Sequence, residues 1–122
     1  MRKNLKPYVV TQLQELNVFQ EVAPEYPEKL EELPMVVYQA LHSPKLIDLS
    51  GDEVTTSWRF VLEIVGDKTA GTLTPLTSQV QELFSNIGFD VRIRDANTPD
   101  YIRSIIEMNG TFNNYLNTMT PN

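Results

Sequence analysis

The stretch SWRFVLEIV, Ser57 to Val65, decides the reading of this chain. Trp58, Phe60, Leu62 and Ile64 fall on one side of an extended backbone, Arg59 and Glu63 on the other. Side chains alternate across a strand, so this is a strand with one oily face and one charged face. Upstream, Met35 to Leu41, MVVYQAL, is apolar on both faces, which predicts an interior strand or a contact surface. Downstream, after a polar connection from Gly66 to Thr74, the period changes. Leu76, Val80, Leu83, Phe84 and Ile87 form one stripe at helical spacing. Thr74 is its expected cap, Pro75 suits its first position, and Gly88 stands where a left-handed residue ends a helix.

Alternation then returns. Phe89, Val91 and Ile93 interleave with Asp90, Arg92 and Arg94, and Ala96 to Pro99 is a turn. Tyr101 to Phe112 reads as a long last strand. Ile102, Ile106, Met108 and Phe112 share one face; Arg103, Glu107, Asn109 and Thr111 share the other, interrupted by Ile105. Toward the N-terminus, Leu5, Val9, Leu13 and Leu16 predict a helix over about residues 4–16, with Pro7 tolerated in the first turn and Asn17 as terminator. Val18 to Val22 allows a short strand. Residues 23–34 carry Pro24, Pro27 and Pro34, so they predict a stiff connection, with room for one helical turn at Pro27–Leu33. His42 to Thr56 holds Ser43-Pro44 and Ser50-Gly51-Asp52 as turn chemistry and is expected to be a long loop or extended arm.

The sum is an α+β fold in the order α-β-β-α-β-β. A four-stranded, mostly antiparallel sheet carries two helices packed on one face. Residues 1–113 are expected to form a single domain, and residues 114–122 a flexible C-terminal tail that frays. The second sheet face then presents Arg59, Glu63, Arg92, Arg94, Arg103 and Glu107, whose opposite charges can pair across strands.

Bulk properties narrow the function. The chain has 122 residues, a formal net charge of -6 and no cysteine, with a pI near 4.7. An acidic surface suits generic phosphate binding poorly. Arg2, Lys3 and Lys6 cluster at the N-terminus, a run short enough to be a solvated first turn. Without thiols there are no disulfides and no thiolate metal sites, and a reducing compartment is allowed. The N-terminal residues do not read as a signal peptide, and no stretch is long and apolar enough to span a bilayer, so the expectation is a soluble intracellular domain. Asn109-Gly110-Thr111 matches the glycosylation pattern, a chance match in such a protein.

Chemistry is sparse. His42 is the lone histidine, and a triad would have to draw on Ser43 or Ser50 with Asp48 or Asp52; nothing resembles a nucleophile elbow. Asp48, Asp52 and Glu53, and the run from Asp95 to Asp100, fail the calcium-loop pattern and read as turn acids. Trp58 and Tyr38 can stack bases, but Trp58 shares its face with the core residues. The arginines of the second face have Glu63, Glu107 and Asp90 beside them, which favours pairing over a nucleic-acid patch. No catalytic, cofactor-binding or metal site is assigned, and no enzyme activity is expected.

What remains is surplus apolar surface. Val36, Tyr38, Leu46, Ile47, Leu49 and Ile105 exceed what one helix-backed face needs, which makes them candidate subunit-interface residues. Edge strands offer free amides for addition of a neighbour, and repeated head-to-tail contact closes into a ring.

The order of APEYPEKLEELPMVVYQAL, SWRFVLEIV, the helix ending LFSNIGF, and YIRSIIEMNGTFN resembles the tail terminator, or tail completion, proteins of long-tailed bacteriophages over most of residues 1–113. That resemblance implies a small α/β subunit forming a hexameric ring. The ring caps the finished tail tube and joins it to the head connector, so the implied partners are copies of the chain, the tube protein and the connector protein. DNA passes through the hole without being specifically bound, no membrane is involved, and no catalytic residue exists. The implied location is the virion, after assembly in the host cytoplasm. Two rival expectations stand beside it: another phage neck protein of the head-completion type, and a small monomeric protein-binding adaptor.

Overall fold

The computed structural model describes residues 3–27, 33–67 and 72–121. Element order is α1 (Lys6–Glu15), β1 (Glu21–Ala23), β2 (Met35–Ile47), β3 (Glu53–Asp67), α2 (Thr74–Ile87), β4 (Asp90–Asp95), β5 (Tyr101–Asn113) and β6 (Thr118–Thr120). The α+β class is as expected, with two helices, but the sheet is larger and mixed. Its six strands run β1-β2-β3-β5-β4, with β6 also on β5. β1 lies parallel to β2 over Glu21–Ala23, and every other described pairing is antiparallel.

β3 is the centre of the sheet, and its alternation does what the sequence demands. Trp58, Phe60, Leu62 and Ile64 are buried on the helix-covered face. Register places Val36, Tyr38 and Ala40 of β2 opposite Ile64, Leu62 and Phe60, and Met108 and Ile106 of β5 on the other flank. Leu5, Val9 and Leu13 of the first helix and its entry, with Val80 and Phe84 of the second, close that face into one core. Phe60 and Phe84 each meet Phe89 edge-on, with ring centroids 5.9 Å apart. Side chains of this size each contribute roughly 1.5–3 kcal/mol when fully buried.

The helix ends follow backbone geometry. Pro7 and Pro75 both fall at the first positions of their helices, where a missing N–H is harmless. The cap of α2 is Leu73, not Thr74; the Thr74 amide instead donates to Thr72 Oγ1 at 3.2 Å. Asn17 ends the first helix region with φ 55, and Gly88 ends α2 with φ 123, a left-handed value that favours glycine.

Three expectations change. The segment His42–Thr56 is not a loop: β2 continues to Ile47 and β3 starts at Glu53, leaving only the turn 48–52. Ser43-Pro44 reads as a turn because proline lacks an amide, but Pro44 sits on the outer strand of the hairpin, where that loss is tolerated. The register shifts between Pro44 and Leu46, and again between Leu46 and Ile47, absorb the irregularity as bulges. The tail from Asn113 does not fray: Asn117 N–H closes on the Asn113 carbonyl at 2.8 Å, and Thr118–Thr120 pairs with β5. Val18–Val22 yields its strand slightly later, at Glu21–Ala23. The helical turn considered at Pro27–Leu33 lies mostly outside the described residues.

The second face is not bare. Met35, Val37 and Val65 are buried there with Ala23, against Leu33 and Tyr101. Around them the charges pair diagonally across strands, Arg59 with Glu107 at 3.2 Å and Arg103 with Glu63 at 3.0 Å. These partly exposed pairs are worth roughly 0.2–1 kcal/mol each.

Candidate assembly surface

Five residues of turn project the β2–β3 hairpin past the end of β5, because β3 pairs with β5 only as far as Thr55 opposite Asn113. The turn is held by its own polar groups. Asp48 N–H donates to the Asp52 carbonyl at 2.9 Å, and Asp48 Oδ1 accepts from the amides of Ser50 and Asp52 at 2.9 and 3.0 Å. Gly51 turns the chain with φ 86. A second loop, the β5–β6 turn, backs it. Tyr115 donates its hydroxyl to Asp48 Oδ2 at 2.9 Å, and Asn114 bonds the Val54 carbonyl, the Glu53 carbonyl and Thr56 Oγ1. The Tyr115 hydroxyl, together with the Asp52 and Ser50 amides, holds the Asp48 carboxyl below its ordinary range, and Asp48 in turn raises the tyrosine.

These polar bonds hold up an apolar end. Leu46 is 55 % exposed, Ile47 54 %, Tyr115 53 % and Leu116 71 %, and Leu49 is fully in solvent. Leu41, further down β2, is exposed as well. An isolated apolar residue on a surface needs no explanation, but several at the end of one hairpin and on the turn tied to it concentrate apolar surface at one end of the subunit, as partner-binding surfaces do.

The six candidate interface residues therefore separate. Leu46, Ile47 and Leu49 sit together at the hairpin tip. Val36 is fully buried in the helix-side core and belongs to the subunit's own interior. Tyr38 is half-buried against that core. Ile105 is 9 % exposed on the charged face, between Glu63 and Arg94 in register. Sequence reasoning missed Tyr115 and Leu116, which it assigned to a frayed tail. Their signal was present in the apolar pair standing in an Asn/Thr-rich segment.

Other groups are placed as follows. His42, midway along β2, packs its ring 4.9 Å from its cross-strand partner Trp58. Trp58 is core, stacked on Phe60 at 5.5 Å. Tyr26 crosses the charged face, donates to Glu63 Oε2, and accepts from the Arg103 guanidinium at 3.3 Å. Burial first, and the Glu63 carboxylate second, push its hydroxyl up to about 12. Among the described residues no group of three His, Asp or Glu gathers as a metal would require, and no helix is long and apolar enough to cross a membrane.

A cleft of about 620 Å³ opens between the start of α1, the end of α2 and β6. Leu5, Tyr8, Ile87, Phe89, Phe112 and Met119 give it an apolar lining. Lys3, whose ammonium bonds Asn117 Oδ1, adds polar lining. It offers shape and mostly apolar surface, with Lys3 and Tyr8 as its titratable groups.

Comparison of the chain with family models, with curated proteins and with solved structures returns no match.

Proposed function

We propose that this chain is a structural ring subunit of the kind found at the tail–head junction of long-tailed phages. It caps a tail tube and joins it to the head connector within the virion. The observation that carries this reading is the hairpin tip: Leu46, Ile47 and Leu49 exposed together, braced by Tyr115. A turn fastened by this many hydrogen bonds keeps apolar side chains in water at a free-energy cost, and contact with another chain recovers that cost. Repeated head-to-tail contact of one copy with the next closes into a ring. The tube protein and the connector are the further partners of this reading. The net charge of -6 suits a hole that DNA traverses without being held, because like charges repel phosphate.

Negative-stain images of the purified protein, with and without tail-tube ends supplied, test this. Six-fold rings with a central hole in the protein alone, seated on the ends where tubes are supplied, are the expected result. Single 14.0 kDa particles under both conditions contradict it.

A further inference from the structure

The two long borders of the sheet overlap in height from Tyr38 to Leu41; past that span Arg94 and Asp95 of β4 stand level with Val37 and Val36, which β1 already covers, so the free edges match over four residues. On one border β1 covers only Met35–Val37 of β2, so from Tyr38 to Leu41 the outer side of β2 carries no strand among the described residues. On the other border β4 ends the sheet, and among the described residues it pairs only with β5. Following the register across the sheet links the two. Tyr38 stands level with Leu62 and Ile106, and Ile106 with Ile93. In the same way Gln39 is level with Arg92, Ala40 with Val91, and Leu41 with Asp90. β2 and β4 also run in opposite directions, since each step from β2 through β3 and β5 to β4 is antiparallel.

We infer that the β2 edge of one copy pairs, antiparallel, with the β4 edge of the next, joining Tyr38–Leu41 to Asp90–Ile93 in one continuous sheet. The inference deepens the ring reading and rests on it for the closure into a ring. A rotation about an axis along the strands brings these two borders together without any axial slide, and the directions are then already correct for an antiparallel ladder. The side chains agree in phase. Tyr38 and Ala40 emerge on the helix-covered face, as do Val91 and Ile93, so the junction extends the apolar layer. All four are at least partly open to solvent in the single subunit, Ile93 most clearly at 36 %. On the opposite face Gln39 meets Arg92 and Leu41 meets Asp90, so no like charges oppose each other. A one-residue slip would put Tyr38 beside Arg92 and reverse every face, which fixes the register. The edge is blunted beyond this span by Pro44 and the bulges that follow it, which confines pairing to the flat part. The same placement sets the hairpin tip of one copy at the height of the next copy's β5–β6 turn, where Leu116 is exposed.

The absence of native cysteine makes the test clean. Gln39→Cys and Arg92→Cys are prepared singly and together, both at exposed positions, with circular dichroism melts to verify folding. Opposed residues of an antiparallel pair lie about 4.5–5.5 Å apart at Cα, within disulfide range. Under mild oxidation the mixed single variants should give a covalent dimer at least tenfold above either single variant alone, and the double variant a ladder of multimers. A Gln39→Cys protein that bridges to itself as well as it bridges to Arg92→Cys overturns the inference, because it places two β2 edges together. Failure to bridge in the mixture, at any concentration, also overturns it. Particle mass by light scattering separates the two claims: a six-fold particle without a 39–92 bridge sinks the edge contact and leaves the ring reading standing.

Discussion

Tyr115 Oη donates to Asp48 Oδ2 at 2.9 Å, tying the turn that follows β5 to the turn that joins β2 to β3. This bond joins two loops far apart in sequence. With Asn114, which reaches Val54, Glu53 and Thr56, it makes the exposed apolar end a braced object. Such rigidity favours the proposed assembly, because a pre-ordered surface loses less conformational entropy when it docks.

Tyr115→Phe should therefore raise the Asp48 pKa toward its ordinary 3.8, leaving the part of the depression due to the Ser50 and Asp52 amides. Carboxyl-carbon NMR titration reads this directly. The sign is that of any carboxylate held low in the folded state: its contribution is present above the ordinary pKa and fades as pH falls through the lowered value. The brace should accordingly loosen under acid in the wild type. In the Phe variant, which lacks that bond, the Asp48 turn held by the Ser50 and Asp52 amides loosens at a higher pH.

Gly88 has φ 123, and a β-carbon there would press on the Met119 carbonyl of β6. Gly88→Ala should destabilise the protein by about 1–3 kcal/mol, since a strained backbone and a backbone clash coincide. Urea unfolding of the two proteins measures it, and a stability equal to wild type would mean that β6 does not pack against Gly88.

Tyr26 titrates from its ordinary 10 up to about 12, so the folded state prefers the neutral phenol. A raised folded-state pKa stabilises below the ordinary value, and that stability drains away between pH 10 and 12 as the phenol ionises. Tyr26→Phe should flatten the fall in melting temperature across that window, after subtraction of the other tyrosines' shared background. Because Tyr26 is partly exposed, the whole contribution, complete at neutral pH, is expected to be small.

How much of this was written in the sequence follows from periodicity. Ser57–Val65, the stripe of α2 and the alternation of β5 each repeat long enough to outvote local accidents, and all three stand where they were expected. Misreadings came where a local breaker was tolerated by its surroundings. Pro44 looks like a turn in isolation and becomes strand at a sheet border. Asn113 to Asn117 looks like a fraying tail, yet it turns β6 back onto β5 beside Gly110, whose missing side chain leaves room for Met119. β1 is three residues long and parallel, too short for any alternation to announce it. Of the candidate site, the tip residues Leu46, Ile47 and Leu49 were legible as surplus oil. Val36 was counted with them because nothing in the local pattern says that the helix-side core encloses it.

The account turns on the hairpin tip being a contact surface between chains, and particle mass tests that most directly. Leu46→Ser with Ile47→Ser removes apolar area that is already half in solvent, so the melting temperature should stay close to wild type. Light scattering of the two proteins at matched concentration should find the wild type at about six times the 14.0 kDa chain and the double variant at one. Identical masses for both proteins would contradict the account.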